Sequence, residues 1–135
     1  MITGIDTSVL IDVFGADARF GPRSAAALRS CLNEGALVVC DIVWAETRAA
    51  FVDEGDFMRA MHALGVGFSP MTQAAAGAAG VVCKRYRAAG GKRERVVADF
   101  LIGAHASVQC DRLLTRDRGY YGKNFASLQV VDPSA

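Results

Sequence analysis

The chain has 135 residues, 52% of them hydrophobic, and a formal net charge of +1. A chain of this length predicts one globular domain over residues 1–135, because two domains would each be too small to bury a core. The amino-terminal sequence MITGIDTSVLID lacks the pattern of a signal peptide, and no apolar run reaches the roughly 18 residues that cross a bilayer, so we expect a cytoplasmic protein.

Short apolar segments alternate with helical patterns along the chain. In order, strands are predicted at ITGI, ALVVC, VGF, RLLT and LQVV. Helices are predicted from about Ser8, from Pro22 to Glu34, and around Val43 to Val52, with Gly35 ending the second of these. A fourth is predicted after Thr72, which can cap it, as far as Gly90 and Gly91. The alternation predicts an α/β fold in which helices cover both faces of a parallel sheet, a three-layer sandwich.

Charge is unevenly distributed between the two halves of the chain. Residues 1–56 contain four Arg and nine acidic residues, whereas residues 57–135 contain eleven Lys or Arg and five acidic residues. Such a division suits a site that needs both metal ligands and phosphate contacts, and it is equally typical of unevenly spread surface charge.

The cysteines and histidines do not form a zinc or redox motif. The four cysteines have no CxxC spacing and lie mostly among apolar neighbours, which favours reduced core thiols. His62 has no acidic or cysteine partner at ligand spacing, and His105 falls on a different face of its helix from Asp99, which favours structural or surface roles for both. These residues are Cys31, Cys40, Cys83, Cys110, His62 and His105.

Four acidic residues lie beside hydrophobic sequence, where hydration is expected to be poor. Asp6 follows the first strand, and Asp117 follows the LLT segment after one intervening residue. Glu46 lies inside DIVWAETRAAFV, and Asp99 lies near the start of the helix in VVADFLIGAHA. The structural alternative is that these acids cap helices or pair with arginines such as Arg48, Arg116 and Arg118.

A divalent cation would explain such a group of carboxylates. Ligands of parallel sheets collect beyond the carboxyl ends of the strands, so Asp6 and Asp117 converge if their strands are neighbours. Carboxylates gathered closely raise one another's pKa unless a cation neutralises them. An all-oxygen ligand set favours magnesium or manganese over zinc, and ions of this kind activate water for attack on a phosphodiester.

Four segments in this order resemble the PIN-domain family, in particular the VapC-type toxins of bacterial toxin and antitoxin pairs. They are IDTSVLID, the WAE segment, VVADFLIGAHA and LLTRDRGYYGKNF. The resemblance implies a sheet whose first and fourth strands are adjacent at its centre. It also implies that Asp6, Glu46, Asp99 and Asp117 form the family's acidic quartet, with Mg²⁺ or Mn²⁺ as cofactor and hydrolytic cleavage of RNA as the reaction. Thr115 matches a position where the family often carries a hydroxyl close to the metal.

The predicted RNA contacts are basic and aromatic residues near the last two acids. The segment AAGGKRERVVAD departs from the Pro-rich or polar loop common in the family, which bears on substrate preference more than on catalysis. Phosphate contacts are predicted at Lys92, Arg93, Arg95, Arg116, Arg118 and Lys123, with simple surface charge as the alternative. Tyr120 and Tyr121 lie in an apparent loop and are candidates for stacking on an unpaired base.

The resemblance also implies protein partners. Toxins of this type usually form homodimers and are silenced by a cognate antitoxin that covers the acidic site. The segments Val43 to Val52 and Phe57 to Leu64 offer apolar docking surface, and core packing explains them equally well.

Two other functions compete with the nuclease. A phospho-receiver also uses acids at strand ends with magnesium, but here the third acid lies on a helix and no Lys ends a strand near the carboxyl terminus. A catalytically silent PIN-like binding module is the second alternative. The presence of all four acids argues against it.

Overall fold

The computed structural model describes residues 1–91 and 97–134. The strands are β1 (Ile2–Ile5), β2 (Ala36–Val39), β3 (Val66–Phe68), β4 (Arg112–Leu114) and β5 (Val130–Val131). The helices are α1 (Thr7–Phe14), α2 (Gly21–Glu34), α3 (Asp41–Arg48), α4 (Glu54–Leu64), α5 (Gln73–Ala88), α6 (Val97–Gln109) and α7 (Arg118–Asn124). Every strand predicted from the sequence is present, and the helices that separate them make the fold an α/β three-layer sandwich.

The described strands form one parallel sheet in the order β3-β2-β1-β4-β5. At its centre, Ile5 of β1 pairs with Leu114 of β4, and the backbone N–H of Asp6 donates to the carbonyl of Leu114 at 2.9 Å. The expectation that the first and fourth strands are central neighbours is therefore confirmed. Residues that follow β1 and β4 emerge side by side at the carboxyl edge of the sheet.

Local signals set the helix boundaries. Pro22 lies in the first turn of α2, and Gly35 follows its last residue. The Thr72 hydroxyl accepts a hydrogen bond from the backbone N–H of Ala75 at 3.1 Å and caps α5, as predicted. Gly65 ends α4 with a φ of 71°, in the left-handed region that glycine adopts without strain.

Apolar side chains of the sheet and helices form a continuous core. Strand residues such as Leu37, Val39 and Leu113 are buried against helical residues such as Phe57 and Phe100. Burial of this surface is the main favourable contribution to folding. None of the described helices combines the length and hydropathy that a membrane span requires.

One close contact fixes how α6 lies against the end of α7. A Cβ atom added at Gly103 would lie 2.3 Å from the ring of Phe125, which is itself buried. A side chain at this position would force the Phe125 ring or α6 to shift.

The cysteines and histidines have structural settings. All four cysteines are free thiols, and Cys31 and Cys40 are buried, as expected. His105 is buried and its Nε2 lies 2.9 Å from the Ser69 hydroxyl, whereas His62 is exposed. Burial lowers the pKa of His105, which keeps the ring neutral.

Candidate active site

Asp6 lies at the junction between β1 and α1 and is 7% exposed. Its extended backbone makes it the N-cap of α1, and its Oδ1 accepts a hydrogen bond from the Thr7 N–H at 2.8 Å. Its Oδ2 accepts from the Thr115 hydroxyl at 2.7 Å and from the Ser8 hydroxyl at 3.3 Å. Both carboxylate oxygens are thus oriented by donors from two separate parts of the chain.

Burial raises the pKa of Asp6 above its ordinary value, because removal from water disfavours the charged form. The hydrogen bonds from Thr115 and Thr7 oppose that effect, and the charge of Asp99 adds to it. The ionised carboxylate is therefore held at a cost that a nearby cation would remove.

Thr115 connects the junctions that follow β1 and β4. Its buried hydroxyl donates to Asp6 and accepts a hydrogen bond from the backbone N–H of Asp117 at 3.0 Å. Two of the predicted acids are thereby linked through one side chain. A role for this hydroxyl beside a metal stays a prediction.

Glu46 reaches the same region from α3. The Thr7 hydroxyl donates to its Oε1 at 2.7 Å, so Glu46 is linked to the Asp6 junction through the next residue of the chain. The expectation that Glu46 is poorly hydrated was wrong. Glu46 is exposed, and so are Ala49 and Ala50, which were predicted to share its helix face. The reason is that α3 ends at Arg48 and packs against the core through Val43 and Thr47.

Asp99 and Asp117 complete the region. Asp99 lies in the first turn of α6 and is half-buried, close enough for its charge to raise the pKa of Asp6. Asp117 is exposed and immediately precedes α7, so the expectation of poor hydration was wrong for this residue also. The strand β4 ends at Leu114, three residues before Asp117.

Tyr121 is buried close enough to three of these acids to feel their charges. Burial raises the pKa of its phenol, and the charges of Asp6, Asp99 and Asp117 raise it further. Its hydroxyl is buried and has no hydrogen-bond partner among the described residues. The proposed base-stacking role of Tyr121 was wrong, because the apparent loop is the helix α7 and the ring lies in the core.

The four acids share one region without forming a preformed metal cage. Across residues 1–91 and 97–134, no three His, Cys, Asp or Glu side chains are arranged so that they could hold a metal ion. Asp6 is rigidly held, whereas Glu46 and Asp117 are exposed. The assignment of all four as metal ligands stays a prediction.

The predicted phosphate contacts have different outcomes. Lys92, Arg93 and Arg95 lie outside the described residues. Arg118 and Lys123 are exposed on α7.

Arg116 departs from the prediction of a free phosphate contact. Its Nε and Nη2 donate to Asp12 at 2.6 Å and 3.0 Å. Asp12 is buried, so its charge needs a partner within the protein. Asp12 was not predicted from the sequence, although its spacing of three residues from Val9 places it on the buried side of α1.

The fold is similar to chains of known toxin and antitoxin complexes. A chain of VapBC-1 from nontypeable Haemophilus influenzae superposes with a TM-score of 0.74 at 19% identity over 100% of both chains. A chain of VapBC2 from Rickettsia felis, bound to a promoter DNA fragment, gives 0.73 at 14% identity over 98% of both chains. A chain of FitAcB from Neisseria gonorrhoeae gives 0.67 at 23% identity over 98% of both chains.

Sequence comparison gives the family directly. No curated protein matches the chain. The sequence pattern of the PIN domain matches residues 5–125, a range that contains all four acids and both junctions at the centre of the sheet. The chain therefore belongs to the PIN domain family.

Proposed function

We propose that this chain is a cytoplasmic, metal-dependent endoribonuclease that acts as the toxin of a toxin and antitoxin pair. The observation that carries the proposal is the buried Asp6 carboxylate and the contacts around it. The Thr115 hydroxyl binds both Asp6 and the backbone N–H of Asp117. Thr7 binds Asp6 through its N–H and Glu46 through its hydroxyl. The charge of Asp99 reaches the same carboxylate. Acids from four distant segments therefore surround the carboxyl edge of β1.

The donor set fits Mg²⁺ or Mn²⁺. Asp6, Glu46, Asp99 and Asp117 offer only oxygen, which hard divalent ions prefer. The raised pKa of Asp6 indicates a buried charge that its hydrogen bonds only partly compensate. The nearby Tyr121 hydroxyl is buried and has no hydrogen-bond partner among the described residues. A bound ion would supply an activated water and would stabilise negative charge on the phosphate.

The protein side chains would hold and orient the reacting groups. Asp6 and Asp99 are the inner acids, and Glu46 and Asp117 lie on the exposed side where a substrate phosphate can approach. Thr115 and Thr7 fix the carboxylates they contact, so less reorganisation is needed when the ion and RNA bind. The exposed Arg118 and Lys123 are the described candidates for phosphate contact, and Lys92, Arg93 and Arg95 remain candidates from the sequence.

The proposed partners are an antitoxin and a second copy of the chain. Solved structures that share the fold include chains of VapBC and FitAB complexes, which supports an antitoxin. In the two segments predicted as docking surface, Val43, Phe57 and Met61 are buried in the core, whereas Val52 and Met58 are exposed. The exposed pair is the part available to a partner.

The test is cleavage of RNA in the presence of Mg²⁺ by the complete chain and by an Asp6→Asn variant. We expect Asp6→Asn to lower the cleavage rate by about 100-fold or more, because the amide removes the charge that binds the ion. Asp56→Asn is the matched control, since Asp56 is exposed on α4 and pairs with Arg59. Equal rates for Asp6→Asn and the unmodified chain would reject the mechanism.

A catalytically silent binding module is the second candidate. The lack of a preformed cage of three ligands among the described residues favours it. It predicts that the unmodified chain cleaves no RNA with either Mg²⁺ or Mn²⁺.

A further inference from the structure

Asp12 is a buried charge within α1, where it is 3% exposed. Arg116 contacts both of its oxygens, with Nε 2.6 Å from Oδ2 and Nη2 3.0 Å from Oδ1. The Ser24 hydroxyl of α2 donates to Oδ2 at 3.0 Å. This is the bidentate geometry in which a guanidinium binds a carboxylate most strongly.

Arg116 is itself held on a second side. Its guanidinium carbon lies 4.1 Å from the centre of the Phe20 ring, a cation–π distance. The side chain is 30% exposed, so it lies at the edge of the core rather than extending into solvent. Two of its N–H donors, one on Nε and one on Nη2, are thus engaged by Asp12.

The position of Arg116 in the chain gives this pair its significance. Arg116 lies between Thr115, which binds Asp6, and Asp117, whose N–H binds Thr115. Two consecutive residues after β4 therefore bind side chains of the β1–α1 segment. Thr115 binds Asp6, and Arg116 binds Asp12. The Arg116 contact therefore adds a second side-chain constraint to the one that Thr115 provides.

We propose that Asp12 and Arg116 form a positioning pair that holds Thr115 and Asp117 against Asp6, so that Arg116 serves the site without contacting RNA. The inference rests on the proposed nuclease function for its kinetic consequence. Its structural consequence does not depend on that function. A misplacement of about 1 Å at such a site lowers the rate of a reaction by about 100-fold.

The kinetic test is a double-mutant cycle in the complete chain with Mg²⁺ and RNA. Asp12→Asn and Arg116→Gln should each lower kcat by about 10- to 100-fold and leave KM within about twofold. The double variant should be no slower than the slower single variant, because both changes break the same contact. Arg116→Lys keeps the charge but not the two-pronged contact, and it should recover part of kcat.

Two exposed arginines provide the controls. Arg118→Gln, on the exposed first residue of α7, should raise KM and leave kcat nearly unchanged if Arg118 contacts phosphate. Arg29→Gln, on the exposed face of α2, should change neither constant. The proposal would be overturned if Arg116→Gln raised KM and left kcat nearly unchanged while Asp12→Asn changed neither constant.

A structural readout keeps the test independent of catalysis. In ¹⁵N-labelled chain, the amide signal of Asp117 should shift or broaden in Asp12→Asn, in Arg116→Gln and to a smaller extent in Arg116→Lys, because its hydrogen bond to Thr115 loosens. Signals of β2 and β3 should stay in place. An unmoved Asp117 signal in the folded Arg116→Lys and Arg116→Gln variants contradicts the positioning role. Failure of the unmodified chain to cleave RNA would contradict the proposed function alone.

Discussion

At the scale of single residues, Asp6 combines burial with three hydrogen bonds from its surroundings. Burial raises its pKa, and the Thr115 hydroxyl is the largest opposing contribution. Since the pKa in the folded chain lies above the ordinary value of 3.8, the folded chain binds a proton at a pH where the unfolded chain does not. The free energy of unfolding therefore falls as the pH rises through that interval.

Thr115→Val should raise the pKa of Asp6 further, because the hydroxyl that stabilises the carboxylate is lost. The interval over which stability falls with rising pH should widen accordingly. Carboxyl ¹³C titration of the metal-free chain measures the pKa directly. Thr115→Ser retains the hydroxyl and should titrate as the unmodified chain does, and an unchanged midpoint in Thr115→Val would show that this hydrogen bond does not govern Asp6.

At the scale of elements, the site depends on how helices are set against the central strands. The junctions after β1 and β4 bring Asp6 and Thr115 together, while α3 and α6 approach with Glu46 and Asp99. The approach of α6 is set by Gly103, which lies against the Phe125 ring without room for a side chain. Packing at that contact therefore limits how α6 can lie against the end of α7.

Gly103→Ala should destabilise the chain by about 1–3 kcal/mol, because the added Cβ must displace a buried ring or the helix. The free energy of unfolding, obtained from urea titration, provides the measurement. Gly77→Ala is the matched control, since a Cβ there meets nothing within 4 Å and the site is exposed on α5. That variant should be stabilised by up to about 1 kcal/mol through helix propensity, and equal losses at both glycines would contradict the packing argument.

At the scale of the whole molecule, the parallel order β3-β2-β1-β4-β5 gathers residues that are far apart in the chain. The acidic amino-terminal half supplies Asp6 and Glu46, and the basic carboxyl-terminal half supplies Asp99, Thr115 and Asp117. The uneven charge along the sequence is consistent with one site between the halves. The PIN domain pattern spans the same residues.

The sequence predicted the strands, the caps of α2 and α5 and the centre of the sheet, because periodicity, Pro22, Thr72 and Gly35 act locally. It did not predict the Asp12–Arg116 pair, whose members are 104 residues apart and meet only in the folded chain. The burial of Tyr121 was missed for a different reason. Glycines on either side of the Tyr pair indicate a loop, whereas tertiary packing stabilises a short helix there.

We propose that these acids bind a divalent cation, and calorimetric titration of the metal-free chain with Mn²⁺ measures that binding. We expect saturable binding at neutral pH that is at least about tenfold weaker in Asp6→Asn and nearly unchanged in Asp56→Asn. No saturable binding by the unmodified chain, or equal affinity in Asp6→Asn, would contradict it.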